Sequence, residues 1–323
     1  MLGNTGTNHT RAGAISPRHG SAWATCALLA ATMWMPQAHA QVAVPDKGHG
    51  SISTDYAQAL VEDRTDSQGN RGTIGIAHYR TVHLNVDYGF ADRWAVSASL
   101  PYGSNMAAHT DHDPRIFTDP HGQRFIDDGH YRGGWKDWSV GVRYQWLTAP
   151  VLLTPYLRYG APTHDYQFYG ESALGLDQTE LDFGITAGGR LPRPWQNVYI
   201  TGDVSYSVME KIAITKVNHS TIGLDVGYYF SPLLSARVGW THRQSYGGLG
   251  LPGALFNPDG SLNQDVLLYH DTIRNVSFNE IHAGVDYQLS DRYLLTADIG
   301  HTLDGDNENL IKAAFDIGIS RSF

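Results

Sequence analysis

Apolar and polar residues alternate along much of the chain. Between Val82 and Phe90 the even-numbered positions are apolar, and the odd-numbered positions are polar or glycine. Successive side chains of a β-strand point to opposite faces, so this pattern predicts a strand with one apolar face and one polar face. The same alternation recurs over 138–146, 181–187, 222–230, 281–287 and 311–320. After the first 40 residues, no apolar run reaches the roughly 18 residues that indicate a membrane-spanning helix.

Two further features distinguish a membrane barrel from a soluble sandwich. Aromatic residues end the apolar rows, as in Tyr88 with Phe90 and Tyr144 with Trp146, and a membrane barrel carries such aromatic girdles at its two interfaces. Short polar turns alternate with long polar segments, notably 103–134 and 245–274. Short periplasmic turns and long external loops are typical of outer-membrane barrels.

The sequence therefore predicts an all-β protein, a closed antiparallel transmembrane β-barrel in up-and-down order that occupies residues 50–323. An even strand number places both termini on the periplasmic side. The weakest predictions are strand 1 and strand 5, and in strand 5 Pro155 cannot donate to the ladder. The twelve predicted strands are 50–60, 76–90, 93–102, 136–147, 150–160, 177–191, 195–208, 214–230, 233–244, 275–289, 292–301 and 310–323.

The first 40 residues resemble a secretory signal peptide. Arg11 and Arg18 precede an apolar stretch over 22–35, and the sequence before Gln41 fits a small-residue cleavage site after Ala40. A transmembrane helix is the alternative, but this stretch is shorter than the roughly 20 residues that a bilayer requires. We expect residues 41–49 to form a periplasmic lead-in to the barrel.

Removal of the signal peptide changes both the thiol content and the charge. The single cysteine, Cys26, leaves with it, so the mature chain would have no disulfide and no thiolate ligand. The loss of two arginines leaves 21 basic residues against 32 acidic residues. This acidic balance, without a basic block, argues against nucleic-acid binding.

The polar faces of the predicted strands carry charges that would point into the barrel. Unpaired charge at membrane depth is costly, so these groups should pair across strands or face water. Two interpretations are open: a polar pore lining with a slight cation preference, or a salt-bridge lattice that stiffens the barrel. Inward tyrosines at 156, 199 and 229 could stack an aromatic solute or fill space. The candidate pore-lining residues are Asp87, Arg143, Asp182, Arg190, Asp225, Arg237, Asp286 and Asp316, and the same rows carry Glu180, Asp203, Glu280, Asp298, Arg158, Arg243 and Lys312.

Two other patterns suggest chemistry but fit it poorly. The segment 109–130 is rich in His and Asp, which could hold Zn²⁺ or Ni²⁺, but its spacing matches no fixed ligand set and solvated loop residues are the preferred interpretation. His242 and Ser245 superficially resemble the pair of an outer-membrane phospholipase. Their separation of three residues would place them on opposite faces of a strand. We expect no enzyme activity, no metal site and no cofactor.

Three segments resemble an outer-membrane family that is named for a role in the meta-pathway of phenol degradation. They are the hairpin 84–102, the turn and strand over 133–144, and the turn over 287–292. Two features depart from the family's pattern. The family's terminal signal carries an aromatic residue where this chain has Arg321, and the His/Asp-rich segment is not part of the pattern. The resemblance implies a small-molecule channel for aromatic or other hydrophobic compounds and supplies no binding residues.

These observations predict a passive outer-membrane channel for small solutes. The expected partners are outer-membrane lipid and lipopolysaccharide, the solute itself, and the barrel-assembly machinery, which would recognise the terminal Phe323. The alternative is a structural or surface-interaction barrel that acts through its long loops.

Overall fold

The computed structural model of the chain describes residues 42–109, 126–168, 170–212, 215–250, 257–261 and 272–323, the positions 263, 266 and 269, and the backbone of 27–28 and 33–34. Ala27–Leu28 and Met33–Trp34 pair with each other. The rest of the predicted signal peptide lies outside the described residues. Within them, no helix is long and apolar enough to cross a membrane.

One large antiparallel sheet contains the long strands. A two-residue ladder, Lys211–Ile212 with Thr215–Lys216, extends one of its hairpins. The strands of the large sheet are β1 (Gly50–Thr65), β2 (Arg71–Ala91), β3 (Trp94–His109), β4 (Arg132–Trp135 and Trp138–Tyr144), β5 (Leu152–Ala161), β6 (Glu180–Arg190), β7 (Val198–Met209), β8 (Asn218–Tyr229), β9 (Leu234–Tyr246), β10 (Ser277–Gln288), β11 (Tyr293–Asp306) and β12 (Asn309–Ser322).

Each strand pairs with its neighbours in chain order, and β12 pairs with β1. Both segments of β4 pair with β3, so the 13 strand segments occupy twelve positions in a closed ring. A closed ring leaves no strand edge with unpaired backbone groups, which a bilayer could not solvate. The predicted closed, twelve-stranded, up-and-down antiparallel barrel is confirmed.

The two faces of the wall have the polarity that alternation predicts. On β2, Val82 and Leu84 are 45% and 50% exposed, whereas His83 and Asn85 are 0% and 7% exposed. Large apolar side chains thus cover the outside, and polar side chains are buried in the interior. This arrangement is stable only where the surroundings of the outer surface are themselves apolar, as lipid tails are.

The two ends of the barrel differ. At one, which we call the turn end, the strands are joined by residues 92–93, 145–151, 191–197, 230–233 and 289–292. At the other, the loop end, the connections include the long segments 110–131, 162–179 and 247–276. Gly50 and Phe323 exchange backbone hydrogen bonds at the turn end, with N···O distances of 3.1 and 2.9 Å. Both ends of the barrel chain therefore lie on the side of the short turns, as predicted.

Several strands are longer toward the loop end than the sequence predicted. β3 runs to His109, so the segment predicted as a loop from Gly103 begins as strand. β5 is continuous through Pro155, which lies opposite Ile185 of β6. Proline removes one donor there without ending the strand.

The prediction that Lys312 faces the interior is wrong. The register of β12 against β1 shifts on both sides of Ile311, and such a bulge reverses the faces of the residues beside it. Ile311 is consequently 1% exposed inside the barrel. The Lys312 side chain is 58% exposed, and its Nζ lies 2.6 Å from Glu62 Oε2 on the outer surface.

Candidate functional site: the charged interior

The predicted charged residues other than Lys312 face the interior, and most contact a partner on another strand. Arg143 of β4 donates from Nη2 to Asp87 of β2 at 2.6 Å. Asp225 of β8 lies 2.7 Å from Nε2 of His282 on β10. Opposite charges at close range stabilise each other strongly where water is scarce. The interior thus contains paired charge.

The most connected group is Arg237, whose side chain is 1% exposed. Its Nη1 donates to Asp286 Oδ1 at 2.8 Å, and its Nη2 donates to Asp298 Oδ1 at 2.6 Å. Arg237 reaches from β9 to β11 because Gly284 stands between them on β10. A Cβ at Gly284 would lie 2.8 Å from Arg237 Cζ and closer still to Asp298. The absence of a side chain at position 284 therefore makes this contact possible.

An acidic group continues this network around the wall. Asp316 of β12 is the register partner of Asp298. Asp55, on the adjacent strand β1, lies 2.5 Å from Nδ1 of His83 and accepts from Asn85 Nδ2 at 3.2 Å. Sequence reasoning missed Asp55 and His83 as interior partners, although both lie on alternating rows. β1, which carries Asp55 on its inward row, is one of the two strands that the sequence predicts least clearly.

A second network lies on β5, β6, β8 and β9. Glu180, Asp182 and His219 offer ligand atoms that all lie within 4.8 Å of one another, as a metal site would require. Arg158 Nε already donates to Asp182 Oδ2 at 2.6 Å, and Arg243 Nη2 lies 2.9 Å from His219 Nδ1. Two guanidinium groups compete directly with a cation. We therefore interpret the cluster as part of the ionic network.

Tyrosine rings occupy the interior nearer the turn end. Tyr156 donates to Asp203 Oδ1 at 3.2 Å. The guanidinium of Arg190 lies 4.1 Å from the ring centroid of Tyr229, and Tyr199 contacts the same ring at a centroid distance of 4.9 Å. The three predicted inward tyrosines thus contact charged groups or each other.

The loop between β5 and β6 folds into the barrel, which the sequence did not indicate. Glu171 is 3% exposed. Its carboxylate accepts from Arg64 Nη2 at 2.7 Å, from Tyr79 OH at 3.1 Å and from Asn309 Nδ2 at 2.6 Å. These donors lie on β1, β2 and β12, on the opposite side of the ring from β5 and β6. The loop therefore crosses the interior from wall to wall, and we call residues 170–176 the crossing segment.

The crossing segment is also held along its backbone. Asp127 accepts from the N–H groups of Glu171 and Ser172 at 2.8 and 2.7 Å. Asn105 Nδ2 of β3 donates to the carbonyl of Ala173 at 2.6 Å. Such bonds keep the buried polar backbone satisfied. A polar loop sequence carries no signal for this placement, because the partners lie on distant strands.

The described residues of the segment 247–276 add to the filling of the loop end. Arg274 and Glu308 are each 2% exposed, with Nη2 and Oε1 4.0 Å apart. Asn307 Nδ2 donates to the carbonyls of Leu249 and Asn275, each at 3.0 Å. This long segment and the short turn between β11 and β12 thus share a buried polar network.

The turn end also contains chain within its mouth. Thr154 Oγ1 of β5 donates to the carbonyl of Val42 at 2.5 Å, and Gln145 Oε1 accepts from Val44 N at 2.9 Å. Gly48 N then donates to the carbonyl of Gly89, at the end of β2, at 2.7 Å. Residues 42–49, which we call the N-terminal strap, therefore cross the mouth before β1 begins.

The structure bears on the possible hydrolase pair, His242 with Ser245, and on part of the His/Asp-rich segment. His242 faces outward and contacts Asn279 Oδ1 at 3.1 Å, whereas Ser245 faces inward and is 6% exposed. They lie on opposite faces, as predicted, so they cannot act as a pair. Most of the His/Asp-rich segment 109–130 lies outside the described residues. Its last histidine, His130, contacts Asp128 at 3.3 Å.

The fold of this chain is similar to that of solved outer-membrane barrels. No family model and no curated protein matches the sequence. An outer membrane channel from Pseudomonas putida F1 has a TM-score of 0.63 at 14% identity, with 87% of this chain and 97% of that channel covered. The beta domain of the Bordetella autotransporter BrkA has a TM-score of 0.47 at 16% identity, with 85% and 99% covered. KdgM porin has a TM-score of 0.44 at 8% identity, with 84% and 99% covered. The first similarity shows an outer-membrane barrel fold, and at this identity it shows the fold alone.

Proposed function

We propose that the protein is an outer-membrane channel through which small solutes pass without an energy source. The observation that carries this proposal is a closed barrel with an apolar outside and a charged interior. A charged interior requires either complete pairing or water. Water around these charges would form the path of a small polar solute. Similarity in fold to a solved outer membrane channel is consistent with this function.

In this proposal the loop end faces the outside of the cell, and the turn end faces the periplasm. The crossing segment and the N-terminal strap narrow the path at opposite ends. Twelve strands enclose more space than the filled interior of an eight-stranded barrel and less than a 16-stranded porin. A narrow path restricts passage to small molecules. The preference for aromatic solutes rests on the family resemblance and is supported by the inward rings of Tyr156, Tyr199 and Tyr229.

The placement of the N-terminal strap supports removal of the signal peptide. Val42 lies against Thr154, inside the mouth of the barrel. A retained leader would continue from within this mouth and would have to share it with the strap. We therefore expect the mature protein to begin at Gln41, which mass spectrometry of the purified protein would verify.

Single-channel recording in planar bilayers tests the channel. The purified mature protein should give small, discrete current steps. A variant in which a short Gly-Ser linker replaces residues 166–176 should give larger steps, because the crossing segment no longer obstructs the path. Folding of both proteins is verified independently by heat-modifiable migration in gels.

A structural or surface-interaction barrel is the second candidate, and the buried charges of the loop end favour it. Arg274, Lys136 and Glu308 are each at most 2% exposed, as in a packed interior. If the wild type and the shortened variant are both folded and both conduct no current in bilayers, the interior charges form a closed salt-bridge lattice and the channel proposal fails.

A further inference from the structure

The outer surface carries a cation on β2 at the boundary of the apolar belt. Arg80 alternates with the buried residues Tyr79 and Thr81, so its side chain points outward. Arg80 follows Val82 in the outward row toward the loop end. An arginine in this position lies where lipid tails give way to headgroups.

The register of the neighbouring strands marks this boundary. Tyr56, Val82 and Tyr102 are register partners on β1, β2 and β3, and all three are exposed apolar or aromatic residues. The next outward level toward the loop end consists of Gln58, Arg80 and Ser104. On these three strands the outward residues change from apolar or aromatic to polar within one level, and apolar residues return farther toward the loop end, as at Ile76. Tyr102 also packs against Trp135 at a centroid distance of 5.3 Å, which forms part of an interfacial girdle.

Arg80 differs from two other outward cations near this end. Lys312 is paired with Glu62, and Arg71 with Asp63. Among the described residues, no ion pair includes Arg80, and its Nε is buried without a hydrogen-bond partner. A guanidinium at the edge of a bilayer without a counter-charge carries a cost in free energy. An anion supplied by the surroundings would lower that cost.

Neighbouring side chains orient Arg80 toward such an anion. Its Cζ lies 4.1 Å from the ring centroid of Tyr131. A guanidinium held against an aromatic face can still donate hydrogen bonds in its own plane, so this contact leaves Arg80 able to bind an anion. The hydroxyl of Tyr131 lies 3.3 Å from Nδ1 of His78, in the same outward row as Arg80. When Tyr131 donates to Nδ1, a neutral His78 carries its proton on Nε2, which is then a second donor.

We propose that Arg80, His78 and Tyr131 form a binding site for the phosphate group of a phosphorylated glycolipid in the outer leaflet. Phosphate offers the paired oxygens that a guanidinium binds in bidentate fashion. The position beside the aromatic level favours a lipid headgroup over an anion free in solution, since the acyl chains of that lipid would cover the adjacent apolar belt. The inference rests on the proposed placement of the protein in the outer membrane.

The test measures binding of lipid A to the folded, detergent-solubilised mature protein by native mass spectrometry. Bisphosphorylated lipid A is compared with chemically dephosphorylated lipid A. The wild type should prefer the phosphorylated form, and Arg80→Gln should weaken its binding by about tenfold or more, as loss of a charge-assisted hydrogen bond implies. His78→Gln should weaken it less. Arg292→Gln, at the turn end, is the matched control and should bind as the wild type does.

Three results would overturn the proposal: equal binding of the two lipid forms, wild-type affinity in folded Arg80→Gln, or full competition by inorganic phosphate at the concentration of lipid phosphate. The last result would identify a site for free anions. If Arg80→Gln fails to fold in the gel-migration assay, Tyr131→Leu replaces it, since it removes the stacking ring and keeps the charge. Cell fractionation separately tests whether the protein is in the outer membrane. Failure of the proposed membrane location is thereby distinguished from absence of a phosphate site.

Discussion

Glu171 Oε1 lies 2.7 Å from Arg64 Nη2, although the two residues arise on opposite sides of the barrel. Arg64 belongs to β1, and Glu171 belongs to the loop that leaves β5. The contact ties the crossing segment to the far wall, where Tyr79 and Asn309 also bind the same carboxylate. One buried carboxylate therefore holds the crossing segment to the far wall.

Glu171→Gln should loosen the crossing segment. The change removes the negative charge that Arg64 contacts, at a cost of about 1–3 kcal/mol, which corresponds to about fivefold or more in the balance between a seated and a released loop. Bilayer recordings should show larger or more frequent openings. Glu62→Gln is the control, because Glu62 pairs with Lys312 on the outer surface. Unchanged recordings from a folded Glu171→Gln variant would show that the loop does not limit conduction.

Arg237→Gln should destabilise the barrel and change its ion preference. Removal of one partner from a buried ionic group costs about 3–5 kcal/mol, because the remaining charges are left uncompensated. Asp286 and Asp298 would then lose the cation that both of them contact. We expect a lower urea midpoint for unfolding in detergent and a reversal potential in a KCl gradient that shifts toward cation selectivity. Arg190→Gln is the control, because Arg190 is exposed. Its urea midpoint should be near that of the wild type.

Gly227→Ala should be disfavoured by a specific clash. A Cβ at Gly227 would lie 2.0 Å from Cζ of Tyr199, whose ring covers this position. Overpacking of this kind costs about 1–3 kcal/mol, which the urea midpoint would report. Gly223→Ala on the same strand has its nearest neighbour at 3.8 Å and should be tolerated. The double variant Tyr199→Ala with Gly227→Ala should recover part of the loss, and absence of any recovery would contradict the steric explanation.

His242→Ala and Ser245→Ala should not reveal a hydrolase. The two side chains occupy opposite faces of β9, so neither can activate the other. Phospholipid hydrolysis by the purified wild type should equal that of both variants and of a buffer blank. Activity in the wild type that disappears in His242→Ala would require a different partner for His242 and would revive the enzyme hypothesis.

Deletion of Phe323 should reduce assembly in cells. Its backbone makes the last hydrogen bonds of the closing seam with Gly50, and its ring is 49% exposed on the outer surface. Loss of both should lower the fraction of heat-modifiable, folded protein in the outer membrane. Phe323→Trp keeps the backbone bonds and an exposed aromatic ring and should assemble normally. Equal yields for the deletion and the wild type would argue against recognition of this residue by the assembly machinery.

The alternating rows of apolar and polar residues determine most of the architecture. A period of two assigns each residue to a face, and the turn spacing sets the number and direction of the strands. For this reason the outward position of Val82 and the inward position of Asp87 could be predicted. The same logic failed at Lys312, because a bulge adds one residue to the strand and reverses its faces while the hydrophobic pattern gives no warning.

Only the tertiary structure decided which charges meet and what fills the interior. Arg237 reaches Asp298 because Gly284 happens to lie between them in the register, and Glu171 meets Arg64 because a polar loop folds inward. Alternation is a local property of the chain, so it can be read along the sequence. Contacts across the interior depend on register and ring closure, which join residues that are far apart in sequence, and no local pattern contains that information.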